Sequence, residues 1–207
     1  MTLGNGTDRV VLNEDNDQVA LGSGQNSVSI TGNADHVLNN PVTPTGEDVS
    51  TVTVSGHGNE VRLAAGVSQS LSDDATSSAN VFVLNGSTAV SLALHGSGDM
   101  VFINGGSATV SDLGAGLELT VGPVTAGSTN AGSVILQHLA ADPTAVIDLA
   151  GGVGGYGSVG AVLAALTSDG AGGSLLPLGS GRIDFVGVAP GSLHAGNFAL
   201  TTTVFHG

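Results

Sequence analysis

The chain has 207 residues, a formal net charge of −14 at pH 7 and no cysteine, and its 34 glycines far outnumber its five phenylalanines and one tyrosine. A polyanion cannot neutralise phosphates, so the composition disfavours nucleic-acid binding, while the lack of cysteine excludes disulfides and thiolate metal sites. The longest apolar run, Val159 to Leu166, is too short to span a bilayer. The charge opposes compaction unless cations compensate it.

A nine-residue repeat organises the start of the chain, in the units LGNGTDRVV, LNEDNDQVA, LGSGQNSVS and ITGNADHVL. Every unit opens with an aliphatic residue and has valine at its eighth place (Leu3, Leu12, Leu21, Ile30; Val10, Val19, Val28, Val37). Each valine lies two residues before the next opener, so in an extended chain both side chains share one face. The residues between are rich in Gly, Asn and Asp, which favour tight turns. Strand and turn at a fixed period predict a β-solenoid.

The rhythm breaks at Pro41 and Pro44, where a loop to about Ser50 is expected, and it returns with Val52 and Val54. Gly66 to Asn80 is rich in Ser and Asp and is interpreted as a looser excursion in which Leu71 dips inward. Aliphatic pairs then recur to Val121. We therefore predict one solenoid body from Leu3 to Val121, with roughly a dozen short strands.

The region after Pro123 has a different pattern. Ser158 to Leu166 predicts one helix with Ser158 as its N-cap, and Leu175 to Leu178 with Ile183 to Val186 predicts a hairpin. One further helical turn is expected within Pro190 to Phe198. The fold class is all-β: a right-handed parallel β-roll or β-solenoid over 1–122, followed by a C-terminal capping or secretion-type segment over 123–207 that contains one helix.

The repeat units resemble the RTX nonapeptide repeat, G-G-x-G-x-D-x-U-x, a calcium-binding β-helix unit. The first unit matches at Gly4, Gly6, Asp8 and Val10, whereas the other units are degenerate. The resemblance implies calcium between coils, held by backbone carbonyls and by sixth-place side chains of units two apart. These side chains would pair Asp8 with Asn26 and Asp17 with Asp35, and the later turn HGSGDM adds Asp99. The alternative is that these Asp and Asn side chains only satisfy backbone groups in turns.

A second resemblance concerns the tail. The passage that contains Ile183-Asp184-Phe185-Val186-Gly187-Val188, followed by Leu193, Ala195, Asn197 and Phe198, looks like the C-terminal segment of large bacterial proteins with RTX-like repeats. Such proteins are exported by type I secretion through an uncleaved C-terminal signal. The resemblance implies a secreted or cell-surface protein, with the type I secretion machinery as a partner and millimolar calcium around it.

Catalytic patterns are weak. No two of the six histidines have helical metal-site spacing, although His57 and His95 occupy similar turns and would stack if the coil register agreed. Acidic groups at Glu14/Asp15/Asp17, Asp73/Asp74 and Asp99 fall in polar turns, where ordinary pKa values are expected because water reaches them. A β-helix lyase or epimerase would need basic groups, and the chain has three arginines and no lysine.

The function expected from these patterns is non-enzymatic: an extracellular structural protein, such as a matrix, surface-layer, adhesin, biofilm or filament subunit, that associates with itself into fibres or layers. No polar cap precedes Leu3, so we expect either that the chain is part of a longer array or that its solenoid end pairs with another chain. One alternative is a calcium-folded C-terminal export module of a larger secreted protein. Another is a carbohydrate-active β-helix enzyme.

Overall fold

A computed structural model describes residues 1–39, 49–64, 68–86, 89–123 and 131–202. Strands make up 51% of the chain. The loop predicted between Pro41 and Ser50 lies mostly outside these ranges.

The strands form two sheets. Sheet I contains the odd-numbered strands and a C-terminal hairpin: β1 (Arg9–Leu12), β3 (Asn26–Ile30), β5 (Val49–Val54), β7 (Ser68–Asp73), β9 (Ala89–Leu94), β11 (Ser107–Asp112), β13 (Ser133–Gln137), β15 (Thr167–Ser168), β16 (Ser174–Leu178) and β17 (Gly181–Phe185). Sheet II contains β2 (Gln18–Leu21), β4 (His36–Asn39), β6 (Glu60–Leu63), β8 (Val81–Asn85), β10 (Met100–Asn104), β12 (Glu118–Gly122), β14 (Val146–Leu149) and β18 (Phe198–Ala199).

Each strand from β1 to β12 pairs in parallel with the strand two places along the chain, so every coil adds one strand to each sheet. Val10 pairs with Val28, and Val19 with Val37, which is the stacking that two nine-residue units per coil predict. The predicted parallel β-solenoid is confirmed, and it has about 5 turns.

The core is a continuous stack of aliphatic side chains between the two sheets. Val28, Val61, Val101 and Leu119 are at most 1% exposed. Because the strands pair in register, each aliphatic residue packs between those of the coils before and after it. This burial is the main source of stability for strands that are only four to six residues long.

The segment predicted as a loose excursion contains a regular strand. Residues Ser68–Asp73 form β7, which pairs with β5 and β9, and Leu71 is buried as expected. The strand has one aliphatic residue because Gln69 and Asp73 take the other inward places. Neighbouring coils, rather than its own composition, hold it in the sheet.

Both sheets continue past the predicted boundary at residue 122. Strands β13 and β17 extend sheet I, while β14 and β18 extend sheet II. The predicted hairpin is present as antiparallel β16 and β17. The predicted helix is α1 (Val159–Ala165), and its N-cap Ser158 accepts a hydrogen bond from the Ala161 backbone N–H at 3.2 Å.

Short 3-10 turns complete the C-terminal part, at Leu139–Ala141, Ala150–Gly155, Pro190–Ser192 and Ala195–Asn197. The last two account for the helical turn expected before Phe198. In the described part of the chain, no helix has both the length and the apolar character needed to cross a membrane.

Candidate functional site

The turns that leave sheet I and enter sheet II carry a stacked row of Asp and Asn side chains. The residue just before each even-numbered strand occupies the same inward place in successive coils, and we call this row the Asx ladder (Asp17, Asp35, Asn59, Asn80, Asp99). Its last four members are at most 3% exposed. Polar groups this deeply buried are expected to be hydrogen-bonded.

Each ladder side chain after Asp17 accepts a hydrogen bond from the backbone of the previous coil. The Asp17 N–H donates to Asp35 Oδ1 at 2.7 Å, and the Asp35 N–H donates to Asn59 Oδ1 at 2.9 Å. The same contact joins Asn59 to Asn80 and Asn80 to Asp99, both at 2.9 Å. The ladder thus satisfies buried N–H groups at the point where the backbone leaves one sheet for the other.

The ladder ends where Leu117 takes the next place. The N–H groups of Gly116 and Leu117 donate to Asp142 Oδ2 at 2.7 and 3.0 Å, so an aspartate from the C-terminal part accepts from the backbone at the end of the ladder. Thr144 donates to Asp142 Oδ1, and these hydrogen bonds lower the pKa of Asp142 against the opposing effect of its burial.

Asp8 and Asn26 lie at the opposite edge, where the chain enters sheet I. They stack in adjacent coils as expected, with the Asp8 N–H donating to Asn26 Oδ1 at 3.3 Å. The Asn26 amide also donates to the Gly22 carbonyl at 3.1 Å. The five candidate calcium ligands are therefore divided between two edges of the solenoid.

Asp17 and Asp35 are the stacked pair with two carboxylates. Asp35 is fully buried, its Oδ2 has no hydrogen-bond partner among the described residues, and burial raises its pKa. The charges of Asp17 and Asp15 raise it further, against the effect of the Asp17 N–H. Among the described residues, however, no three His, Cys, Asp or Glu side chains are grouped closely enough to hold a metal ion by themselves. A cation at this turn would depend on backbone carbonyls as well.

A second pair of acidic side chains lies inside the coil, and for Asp99 the expectation of an ordinary pKa is wrong. Asp73 and Asp99 are each 3% exposed. Burial raises the pKa of Asp99 to about 7, and the charge of Asp73 and a hydrogen bond to it add to that effect. Asp73 lies two residues after Leu71 in β7, so both side chains point into the core. Asp99 is the last residue of a turn, and its side chain is also buried. Water therefore does not solvate either carboxyl group.

Sequence reasoning missed Asp112, which is 1% exposed at the end of β11. Burial and then the charge of Asp142 raise the pKa of Asp112 to about 6, and its Oδ2 has no partner among the described residues. The signal was its position two residues after Val110, which places both side chains on the inward face of the strand.

The two turn histidines do not come together. His57 stacks on Ser78, and its Nδ1 lies 2.9 Å from Ser78 Oγ. His95 Nδ1 instead lies 3.0 Å from the Asp73 carbonyl oxygen. The stacking runs from His57 through Ser78 to Ser97, so His95 occupies a different place in its turn.

The outer face of sheet II carries a further polar cluster that sequence reasoning missed. His36 Nδ1 lies 2.9 Å from Glu60 Oε2, and Arg62 pairs with the other oxygen of Glu60. These residues line an open groove of about 400 Å³. Glu60 and Arg62 alternate along β6, and His36 pairs with Glu60 in register, so a correct alignment of coils would have placed them together.

The interior carboxyl groups Asp73, Asp99 and Asp112 are at most 3% exposed, so a substrate cannot reach them unless the coils open. The Asx ladder accepts hydrogen bonds from backbone N–H groups. The groove on sheet II is open, and the charge of Glu60 in it is balanced by Arg62. Comparisons with protein-family models, with curated proteins and with solved structures return no match to this chain.

Proposed function

We propose that the chain is a non-enzymatic extracellular structural protein, such as a matrix, surface-layer, adhesin or filament subunit, built on an RTX-like solenoid that associates with itself. The observation that carries the proposal is the unbroken stack of paired strands, in which every described coil supports its neighbours in both sheets. Such a stack resists bending and displays its faces at a fixed spacing, as a scaffold requires.

The chemistry of the acidic groups supports a structural role over catalysis. The buried members, Asp35, Asp73, Asp99 and Asp112, lie in the core or at its edge, where they contact backbone N–H groups or each other. Acid–base catalysis needs a carboxyl group within hydrogen-bond reach of a substrate. Here the carboxyl groups organise turns instead.

Calcium is the proposed stabilising ion, at the turn between Asp17 and Asp35. Asp35 Oδ2 supports this placement because a buried carboxylate oxygen without a partner is costly, and Ca²⁺ prefers carboxylate and carbonyl oxygens. The ion would offset part of the −14 charge.

The test is sedimentation velocity of the purified full chain over a range of concentrations, in EGTA and in millimolar calcium, with electron microscopy of the same samples. We expect the sedimentation coefficient to rise with concentration and fibres or layers to form in calcium. A chain that remains monomeric under all of these conditions would contradict self-association.

A second function, an export module for a larger secreted protein, is favoured by the C-terminal segment. This segment closes one end of the solenoid with α1 and the β15–β16–β17 hairpin, and it contains the passage that resembles type I secretion signals. A reporter enzyme joined to the start of the full chain tests it. Exporter-dependent accumulation of the reporter in the medium is expected, and retention inside the cell would contradict export.

A further inference from the structure

The outward face of sheet I is a regular array of hydroxyl groups, which we call the hydroxyl face. The strand pairing aligns its outward residues in two columns that run along the solenoid. The first column is Arg9, Ser27, Thr51, Ser70, Ser91, Thr109, Ile135 and Asp184, and the second is Val11, Ser29, Thr53, Ser72, Ala93, Ser111 and Gln137.

The charge on this face differs from that of the rest of the chain. In the described strands from β3 to β13, no outward side chain of sheet I is a carboxylate. Of the 17 carboxylates and three arginines in the chain, the two columns hold Asp184 and Arg9, and Arg182 lies beside them as another outward residue of β17. It is therefore the surface on which an acidic molecule can approach a copy of itself with the least repulsion.

The first column ends in opposite charges. Arg9 occupies the first of its eight parallel positions and Asp184 the last, and antiparallel β16 continues the row beyond Asp184 with Leu175. Among the described residues Arg9 has no ion pair. A second copy that is rotated by 180° about the strand direction places its Asp184 opposite Arg9 and its Arg9 opposite Asp184. The same rotation sets Ser70 opposite Ser91, and Thr51 opposite Thr109, so each hydroxyl meets a group that can both donate and accept.

The size of the face fits a weak contact. Eight strands about 4.8 Å apart and five residues of about 3.3 Å each give roughly 600 Å² per copy. Two copies would bury about 1,200 Å², the lower limit of specific interfaces. Exposed Val11 (50%) and Ile135 (41%) add apolar area near its two ends.

We infer that the hydroxyl face binds a second copy of this chain, face to face and with the solenoids antiparallel, in a symmetric dimer fixed by two Arg9–Asp184 ion pairs. The inference rests on the proposed self-association and names its surface. Because the contact is isologous, every substitution changes the interface at two symmetry-related places.

Charge reversal tests the pairing. In sedimentation equilibrium, Arg9→Glu is expected to raise the dimer Kd about tenfold, since it places a glutamate opposite Asp184 in both symmetric contacts. Asp184→Arg alone should weaken the dimer similarly, and the double variant should restore it. Restoration is the diagnostic result, because a general loss of stability would not be rescued.

A substitution at the centre of the face avoids the half-buried Asp184. Ser91→Glu puts two carboxylates at the symmetric centre and is expected to raise Kd by about tenfold or more. Gln18→Glu is the matched control, since it adds the same charge at an exposed outward position of sheet II. Circular dichroism verifies that both variants keep the strand signal.

The outcomes separate this inference from the proposed function. If the wild-type chain associates but Ser91→Glu and Arg9→Glu behave like Gln18→Glu, another surface mediates assembly, and the inference fails while self-association stands. A monomeric wild type would overturn both. Binding of a neutral glucan to monomeric wild type, lost in Ser91→Glu, would assign the face to a polysaccharide and overturn the dimer.

Discussion

Asp73 and Asp99 share a hydrogen bond inside the solenoid, although one ends a strand of sheet I and the other precedes a strand of sheet II in the next coil. Asp73 accepts hydrogen bonds from the Gly96 N–H at 3.2 Å and from the Ser77 hydroxyl at 2.8 Å. Asp99 accepts one from the Asn80 N–H at 2.9 Å. Burial, and then the neighbouring Asp73 carboxylate, raise the pKa of Asp99 to about 7, which favours the protonated form of Asp99.

This pair predicts that the chain loses stability as pH rises through neutrality. The pKa of Asp99 is about 7 in the folded state, whereas an unperturbed aspartate, as in the unfolded chain, has a pKa of 3.8. Between pH 3.8 and pH 7 the folded state therefore binds more protons than the unfolded state. The free energy of unfolding should fall by about 2 kcal/mol between pH 5 and pH 8. Asp112, with a pKa of about 6, acts in the same direction. Urea unfolding in EGTA at several pH values measures the slope.

Asp99→Asn isolates this effect, because the amide keeps an acceptor for Asn80 and cannot ionise. The variant should have a flatter pH profile than wild type and should be the more stable of the two at pH 8. Glu118→Gln removes an exposed outward carboxylate and serves as the charge control. Equal slopes in Asp99→Asn and wild type would show that the pair does not govern the pH response.

Removing one member of the Asx ladder should expose its structural role. Asn59→Leu leaves the buried Asp35 N–H without an acceptor, which costs about 1–3 kcal/mol. Leucine occurs naturally at the equivalent place, Leu117, which is the position where the ladder ends. Guanidinium unfolding measures the loss, with Gln25→Leu as an exposed control. A variant as stable as wild type would mean that water or a shifted backbone replaces the amide.

Close stacking of turns predicts a strict requirement for glycine at position 114. A Cβ there would lie 1.8 Å from the Gly96 carbonyl oxygen in the previous coil, so the turns would have to separate. Gly114→Ala should lower the free energy of unfolding by about 2 kcal/mol or more. Gly191→Ala is the control because a Cβ at that position meets no atom within 4 Å. Thermal unfolding of the two variants should differ clearly, and equal midpoints would refute tight stacking.

Calcium should raise the midpoint of thermal unfolding, and Asp35 should carry much of that response. In Asp35→Asn the gain on adding millimolar calcium is expected to fall by more than half, since a neutral amide oxygen is the weaker ligand. Asp169→Asn changes an aspartate in a C-terminal turn and should keep the full gain. If wild type melts at the same temperature in EGTA and in calcium, the Asp and Asn side chains act only in turns.

Much of the fold follows from the repeat itself. Valine and leucine at a spacing of two, with nine residues between equivalent places, predicted the strands and the stacking of Val10 on Val28. Ser158 and the apolar run after it predicted α1. Strand β7 could not be recognised in this way, because its inward Gln69 and Asp73 conceal the pattern and the neighbouring coils supply the packing.

The site was harder to predict because it depends on register across turns of unequal length. The turn between β5 and β6, from Ser55 to Asn59, has five residues. The turn between β7 and β8, from Asp74 to Asn80, has seven. His57 is the third residue of its turn, whereas His95 is the first residue of the five-residue turn from His95 to Asp99, so Ser97 rather than His95 aligns with His57. The buried aspartates were misjudged for a different reason: residue type suggested exposed turns, whereas the period of two placed Asp73 and Asp112 inside.

Every rung of the Asx ladder points the same way along the chain: the N–H belongs to the earlier coil and the oxygen to the later one. Each coil of the ladder therefore depends on the coil after it for the acceptor of this N–H, and the final acceptor, Asp142, lies downstream of all the others. The ladder of the described coils is accordingly completed only when the C-terminal part is in place.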